Sequence, residues 1–206
     1  MAEVLPADGS VAHAAAERST ASLHRNVMIG IAIALVIAPF VAYPVFVMKV
    51  LCFALFALAF NLLLGYGGLL SFGHAAYFGM ASYVSAYTAK HWGLTPELAI
   101  LLGTGVAALL GLVFGALAIR RQGIYFAMIT LALAQMAFFF SLQTPRFTGG
   151  EDGIQAVPRG KLFGLVSLAD DRALYWLVAA IFMGGLLLIY RVIHSPFGQV
   201  CKAIRD

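Results

Sequence analysis

Val50 to Ala89 is a run of forty residues without one Lys, Arg, Asp or Glu, and its middle reads Asn61-Leu-Leu-Leu-Gly65-Tyr-Gly67-Gly68-Leu-Leu-Ser71-Phe-Gly73-His74. About 20 apolar residues already span the hydrocarbon of a bilayer, so forty make two crossings joined within or near the membrane. The glycines, the serine and the histidine at the junction free backbone groups that lipid cannot satisfy. Such a break must be buried in protein or line a watery cavity. Residues 65–73 are therefore the expected structural break, with Asn61, Gly65, Gly67, Ser71 and His74 as candidate pathway residues.

Working outward, the chain is 62% hydrophobic and 11% charged, against roughly 45–50% and about 25% in soluble domains. That composition excludes an ordinary soluble enzyme. Thirteen basic and nine acidic residues give a net charge of +4. Most basic residues stand at segment ends, where headgroups account for them, so no nucleic-acid partner is implied. Cys52 lies in an apolar run and Cys201 in the polar tail, which argues against a disulfide.

Apolar runs bounded by charges or turn residues predict six membrane helices: Val27 to Met48, Val50 to Leu70, Phe72 to Ala89, Leu98 to Ile119, Gly123 to Leu142 and Ala173 to Ile193. Continuous apolar runs, rather than alternating segments of about ten residues, exclude a membrane barrel. The expected class is an all-α polytopic membrane protein. Residues 1–26 lack apolar periodicity and are expected to be a flexible cytoplasmic tail. The run behind Arg25 is longer than the roughly 7–15 residues of a signal-peptide core and lacks a convincing cleavage site, so it is expected to stay as a helix.

Arg120 and Arg121 are the clearest cytoplasmic marker. With the amino terminus inside, Arg18, Arg25, Lys202 and Arg205 share that side, and Lys49 and Lys90 fall in short outer loops. Gln143 to Arg172 then forms an external loop whose charges nearly cancel. Gly103, Ala107, Gly111 and Gly115 recur every fourth residue and predict a ridge for close helix packing.

No P-loop, HExxH motif or Cys/His metal spacing occurs, so no cofactor is expected. Ser71 and His74 are the only local nucleophile and base pair, and the charge-free stretch offers no orienting acid. Asn61, Thr130, Gln135, Tyr83 and the other polar residues within the spans can be interhelical hydrogen-bond partners or pathway groups. His74 can line a cavity or donate to a freed carbonyl. At the end of the chain, Val200, Ala203 and Ile204 share one helical face while Lys202 and Arg205 point away. That amphipathic face suits lipid headgroups or a groove on a partner.

Four blocks in order carry a resemblance: Asn61 to Gly79, Gly123 to Ala132, Thr148-Gly-Gly-Glu-Asp-Gly153, and Ser195-Pro-Phe-Gly198 through Ala203-Ile-Arg-Asp206. Together they resemble the LivM-type inner-membrane permeases of branched-chain amino acid ABC transporters. The resemblance implies a non-catalytic subunit that works with a second, related permease, two cytoplasmic ATP-binding subunits and a periplasmic binding protein. It implies an ATPase-coupling segment over residues 194–206, with Gly198, Ala203, Ile204 and Arg205 at the matching positions. It places Thr148 to Gly153 on the outer face, where a binding protein delivers substrate. Members of the family usually continue beyond this motif, so the chain, ending at Asp206, is expected to be a fragment. Permeases for urea or short amides share the blocks, and a secondary transporter or channel would also use discontinuous helices.

Overall fold

The computed structural model describes residues 26–121, 123–162, 164, 166–196, 198 and 200. The expected tail, except Asn26, lies outside them, as do Ala203, Ile204 and Arg205. The chain divides into two compact units, one ending at Val47 and one beginning at Met48.

Among the described residues six long helices follow in order: α1 (Asn26–Val41), α2 (Pro44–Gly67), α3 (His74–His91), α4 (Pro96–Ala118), α5 (Ile124–Gln143) and, after a one-turn α6 (Pro145–Thr148), α7 (Asp171–Ile193). Among the described residues α2, α4, α5 and α7 are long and apolar enough to cross a membrane, and α1 is a shorter apolar helix. α3 has 18 residues but is studded with Tyr, Ser, Thr, Lys and His. The all-α, polytopic architecture expected from the apolar runs is the one found.

Two loop placements are corrected, and one of them is Lys90, which lies in the last turn of α3 rather than beyond it. The first turn falls at Ala42 and Tyr43, not at Lys49, which lies exposed in the second turn of α2. Pro44 is the reason, because its fixed φ and missing N–H suit the first position of a helix. A lysine near a helix end can run its long stem along apolar surface toward the headgroups, so its charge is no sign of a loop.

In the second unit the closest packing joins α3 to α4, and small residues cause it. A Cβ at Gly103 would stand 2.7 Å from the Ala81 carbonyl oxygen and 2.1 Å from Ser85 Oγ. The expected ridge is used only in part, since a Cβ at Gly111 or Gly115 would meet nothing within 4 Å. α2, by contrast, meets α3 through rings, Phe53 and Phe56 lying 6.3 and 5.6 Å from Phe78. Against α7, Gly185 accepts the end of Leu55, 2.6 Å from its would-be Cβ.

The segment from Gln143 to Arg172 is structured. Thr148 is fully buried. Its Oγ1 donates to the carbonyls of Ser141 and Thr144 and accepts from the Gly150 N–H, which closes α5, α6 and a 3-10 turn (Gly150–Asp152) into one knuckle. Gly149 must be glycine there, having φ +79° and a would-be Cβ 2.3 Å from the Gly153 carbonyl oxygen. A short antiparallel hairpin, β1 (Lys161–Leu162) and β2 (Val166–Ser167), lies against the start of α4, with Gly160 close on Pro96. The Asp170 side chain caps α7 by accepting from the Arg172 N–H, and Arg159 forms an ion pair with Asp171.

Candidate functional site

The break between α2 and α3 covers residues 68–73, slightly later than the sequence predicts. Gly65 and Gly67 are helical, and only Gly68 takes a left-handed φ, +63°. Asn61 is likewise inside α2, exposed, with its side chain one turn below Gly65.

Three of the freed backbone N–H groups are answered inside the protein, as an apolar medium favours. Leu69 N–H returns to the Leu63 carbonyl at 3.4 Å. Phe72 N–H donates to Thr130 Oγ1 on α5 at 3.2 Å, and Gly73 N–H to Ser71 Oγ at 3.2 Å. His74 Nδ1 lies 3.4 Å from the Ser71 carbonyl, and a carbonyl partner requires the proton on that nitrogen. The imidazole therefore addresses backbone rather than the Ser71 hydroxyl, which gives no support to a nucleophile and base pair.

Thr130 also fixes the depth of the break. It stands six residues inside α5, about 9 Å along the axis at ~1.5 Å per residue. The junction is thus indented into the bundle. Valine at position 130 would leave the Phe72 N–H without its acceptor, a loss of ~1–3 kcal/mol for a group shielded from water. Thr104 Oγ1 only back-bonds to the Ile100 carbonyl, so Thr104→Val should stay within ~0.5 kcal/mol. Thermal unfolding of the two variants in nanodiscs checks this, and equal losses would refute the bridging role of Thr130.

His74 also lines a cavity. Its ring sits edge-on to Phe60 at 5.4 Å and Phe56 at 6.4 Å. Ala59, Leu62, Tyr66, Gly67, His74, Ile193 and Gly198 bound a space of about 300 Å³ between the break and the end of α7. Gly198 is buried, and a Cβ on it would stand 2.4 Å from the Ile193 carbonyl oxygen and 2.7 Å from that of Val192. Ser195 turns the chain there, its Oγ donating to the Val192 carbonyl at 2.6 Å and accepting from the Gly198 N–H at 3.4 Å. The structure thus brings Gly67, His74 and Gly198 to one cavity, while Ala203, Ile204 and Arg205 lie outside the described residues.

A second cavity of about 470 Å³ opens between α3 and α5, beside Phe72. Its walls are mostly Ala, Gly, Leu, Met and Phe, with Tyr83, Gln135 and Ser141 as the polar members. The sequence marks Thr130 only as one polar residue among several and Ser195 only as part of a resembling block, not as the groups that hold the break and the turn after α7. Thr130 meets a partner 58 positions away, and no local pattern signals that.

A polytopic helical membrane protein with an indented, glycine-containing helix break and cavities on either side of it is the class these features define. The chain belongs to the branched-chain amino acid transport system / permease component family, whose pattern matches residues 45–206. It is 26% identical over 176 residues to the high-affinity branched-chain amino acid transport system permease protein LivM of Salmonella typhimurium, covering 75% of this chain and 41% of that protein. The Escherichia coli protein of the same name is 24% identical with the same coverage. The chain thus spans well under half the length of these relatives. No solved structure matches it.

Proposed function

We propose that this chain is a membrane-spanning permease subunit of an ATP-driven importer for branched-chain amino acids. It forms part of the solute pathway in a bacterial inner membrane, with its amino terminus cytoplasmic. Its partners are a second homologous permease, two cytoplasmic ATP-binding subunits that hydrolyse the nucleotide, and a periplasmic substrate-binding protein. The carrying observation is the break at residues 68–73, held at the depth of Thr130 with the Phe72 and Gly73 donors answered inside the protein. Irregular backbone at membrane depth is tolerated where it lines a cavity, and transporter sites cluster at such breaks. Family membership and the names of the LivM relatives support the choice of solute.

Gly198 supports the coupling segment. Its close seat on the last carbonyls of α7, beside the cavity that His74 also lines, gives a rigid route from the cytoplasmic tail to the break. Movement of ATP-binding subunits against residues 194–206 would be passed to α7 and the α2–α3 junction as a rigid-body shift.

Competition uptake tests the solute. In proteoliposomes holding the assembled importer, excess isoleucine or valine should suppress labelled leucine uptake and excess urea should not. Urea uptake blocked by acetamide, with leucine untouched, would move the chain to the short-amide permeases.

A further inference from the structure

We propose that the cavity between α3 and α5 is a binding site for a small amphipathic solute of the α-amino acid class, with Gln135 and Tyr83 holding its polar end. This rests on the transport reading above and adds the residues that touch the solute.

Gln135 lies about 16 Å along α5 from Ile124 and about 12 Å from Gln143 at the usual helix rise. It is therefore near the middle of a mostly apolar helix that is long enough to cross the membrane. Tyr83 occupies the middle of α3, and both side chains line the same cavity. Among the described residues neither the Gln135 amide nor the Tyr83 hydroxyl has a hydrogen-bond partner. The third polar wall residue is already engaged, since Ser141 Oγ donates to the Ala137 carbonyl at 2.9 Å and contacts Met80 Sδ at 3.6 Å.

Tyr83 is half-buried and Gln135 is exposed on this chain's own surface, so at bilayer mid-depth the amide meets lipid, a costly contact, unless a polar group covers it, which points to a polar occupant. The cavity's chemistry narrows what that occupant is. At about 470 Å³ it falls in the ~300–1,000 Å³ range of small-molecule sites. Leu131, Met80, Phe72 and Phe138 supply apolar wall for an aliphatic side chain, and Ala75, Ala76, Gly79 and Ala134 keep the floor open. The glutamine amide both donates and accepts, which suits an ammonium and a carboxylate on one carbon. Among the described residues no fixed charge lines the cavity, so on this chain the polar end is held without an ion pair that would slow release.

The assembled importer in proteoliposomes tests this. Gln135→Leu should raise the KM for leucine roughly tenfold with kcat nearly unchanged, the mark of lost solute binding. Gln135→Asn should recover much of the affinity, and Tyr83→Phe should weaken it less than Gln135→Leu does. Because a leucine could also disturb assembly, a second measurement uses Gln135→Cys with Cys52 and Cys201 replaced by serine. A charged methanethiosulfonate reagent should modify Cys at position 135, and leucine should slow the reaction. An unchanged KM in the leucine variant overturns the proposal. So does a cysteine that stays unreactive, that leucine leaves unprotected, or that the second permease covers without leucine, since those outcomes mark lipid or a subunit interface. Wild-type importer that takes up no leucine overturns the transport reading itself, which is distinct from active wild type with indifferent variants.

Discussion

Gly103→Val is expected to separate α4 from α3 and to cost the membrane domain ~3 kcal/mol or more of stability, the upper end for overpacked cores. The first added carbon already stands 2.7 Å from the Ala81 carbonyl oxygen, which belongs to the α3 backbone and cannot rotate away. The Ser85 hydroxyl, 2.1 Å away, can turn, so it contributes less to the cost. Gly103→Ala should therefore cost ~1–3 kcal/mol on its own. The control is built into the same helix. Gly111 and Gly115 share the small-residue spacing but face open space, so alanine there should be near neutral or slightly stabilising through better helix propensity. Unfolding in detergent micelles, followed by tryptophan fluorescence, ranks the three sites. Equal losses at Gly103 and Gly111 would show that spacing, not the contact with α3, decides the packing.

The second large effect falls on coupling. Gly198→Val forces side-chain carbons into the Ile193 and Val192 carbonyls, and both are backbone groups at the end of α7. The chain at position 198 must then leave its place while the helix ahead of it stays intact. Leucine uptake and solute-stimulated ATP hydrolysis by the assembled importer should fall by roughly 5- to 150-fold, the range of a coupling energy of ~1–3 kcal/mol. The thermal midpoint of the chain should move far less than in Gly103→Val. Gly184→Ala, with nothing within 4 Å of the added carbon, should leave both activities unchanged. Full coupling in Gly198→Val would remove residues 194–206 from the route between ATP-binding subunits and pathway.

The membrane class was legible because lipid permits so few solutions. Forty residues without charge, broken by Gly68, Ser71 and Gly73, admit two helices and a junction and little else. Finer placement depended on physics that the pattern does not carry. Lys49 suggested a loop by its charge, yet Pro44 sets the helix start and a flexible lysine stem tolerates the second turn. Gly65 and Gly67 suggested a break by composition, yet only Gly68 adopts the backbone angle that needs glycine. The ridge from Gly103 to Gly115 was visible as a spacing, but which member touches a neighbour depends on where Ala81 and Ser85 come to lie. The candidate site divided in the same way. His74 was legible as a polar residue at the break, whereas its acceptor, the Ser71 carbonyl, follows from a local turn. Thr130 was legible as one polar residue among several, and its bond to Phe72 required the approach of α5 across 58 residues. Gln135 and Tyr83 become a pair only once α3 and α5 are side by side.

The most direct test of the central claim is the energy source of leucine uptake in proteoliposomes that hold this chain with its second permease, ATP-binding subunits and binding protein. Uptake should need ATP and the binding protein and be indifferent to collapse of the proton and sodium gradients. Uptake by this chain alone, driven by an ion gradient and unaffected by ATP, would contradict that claim.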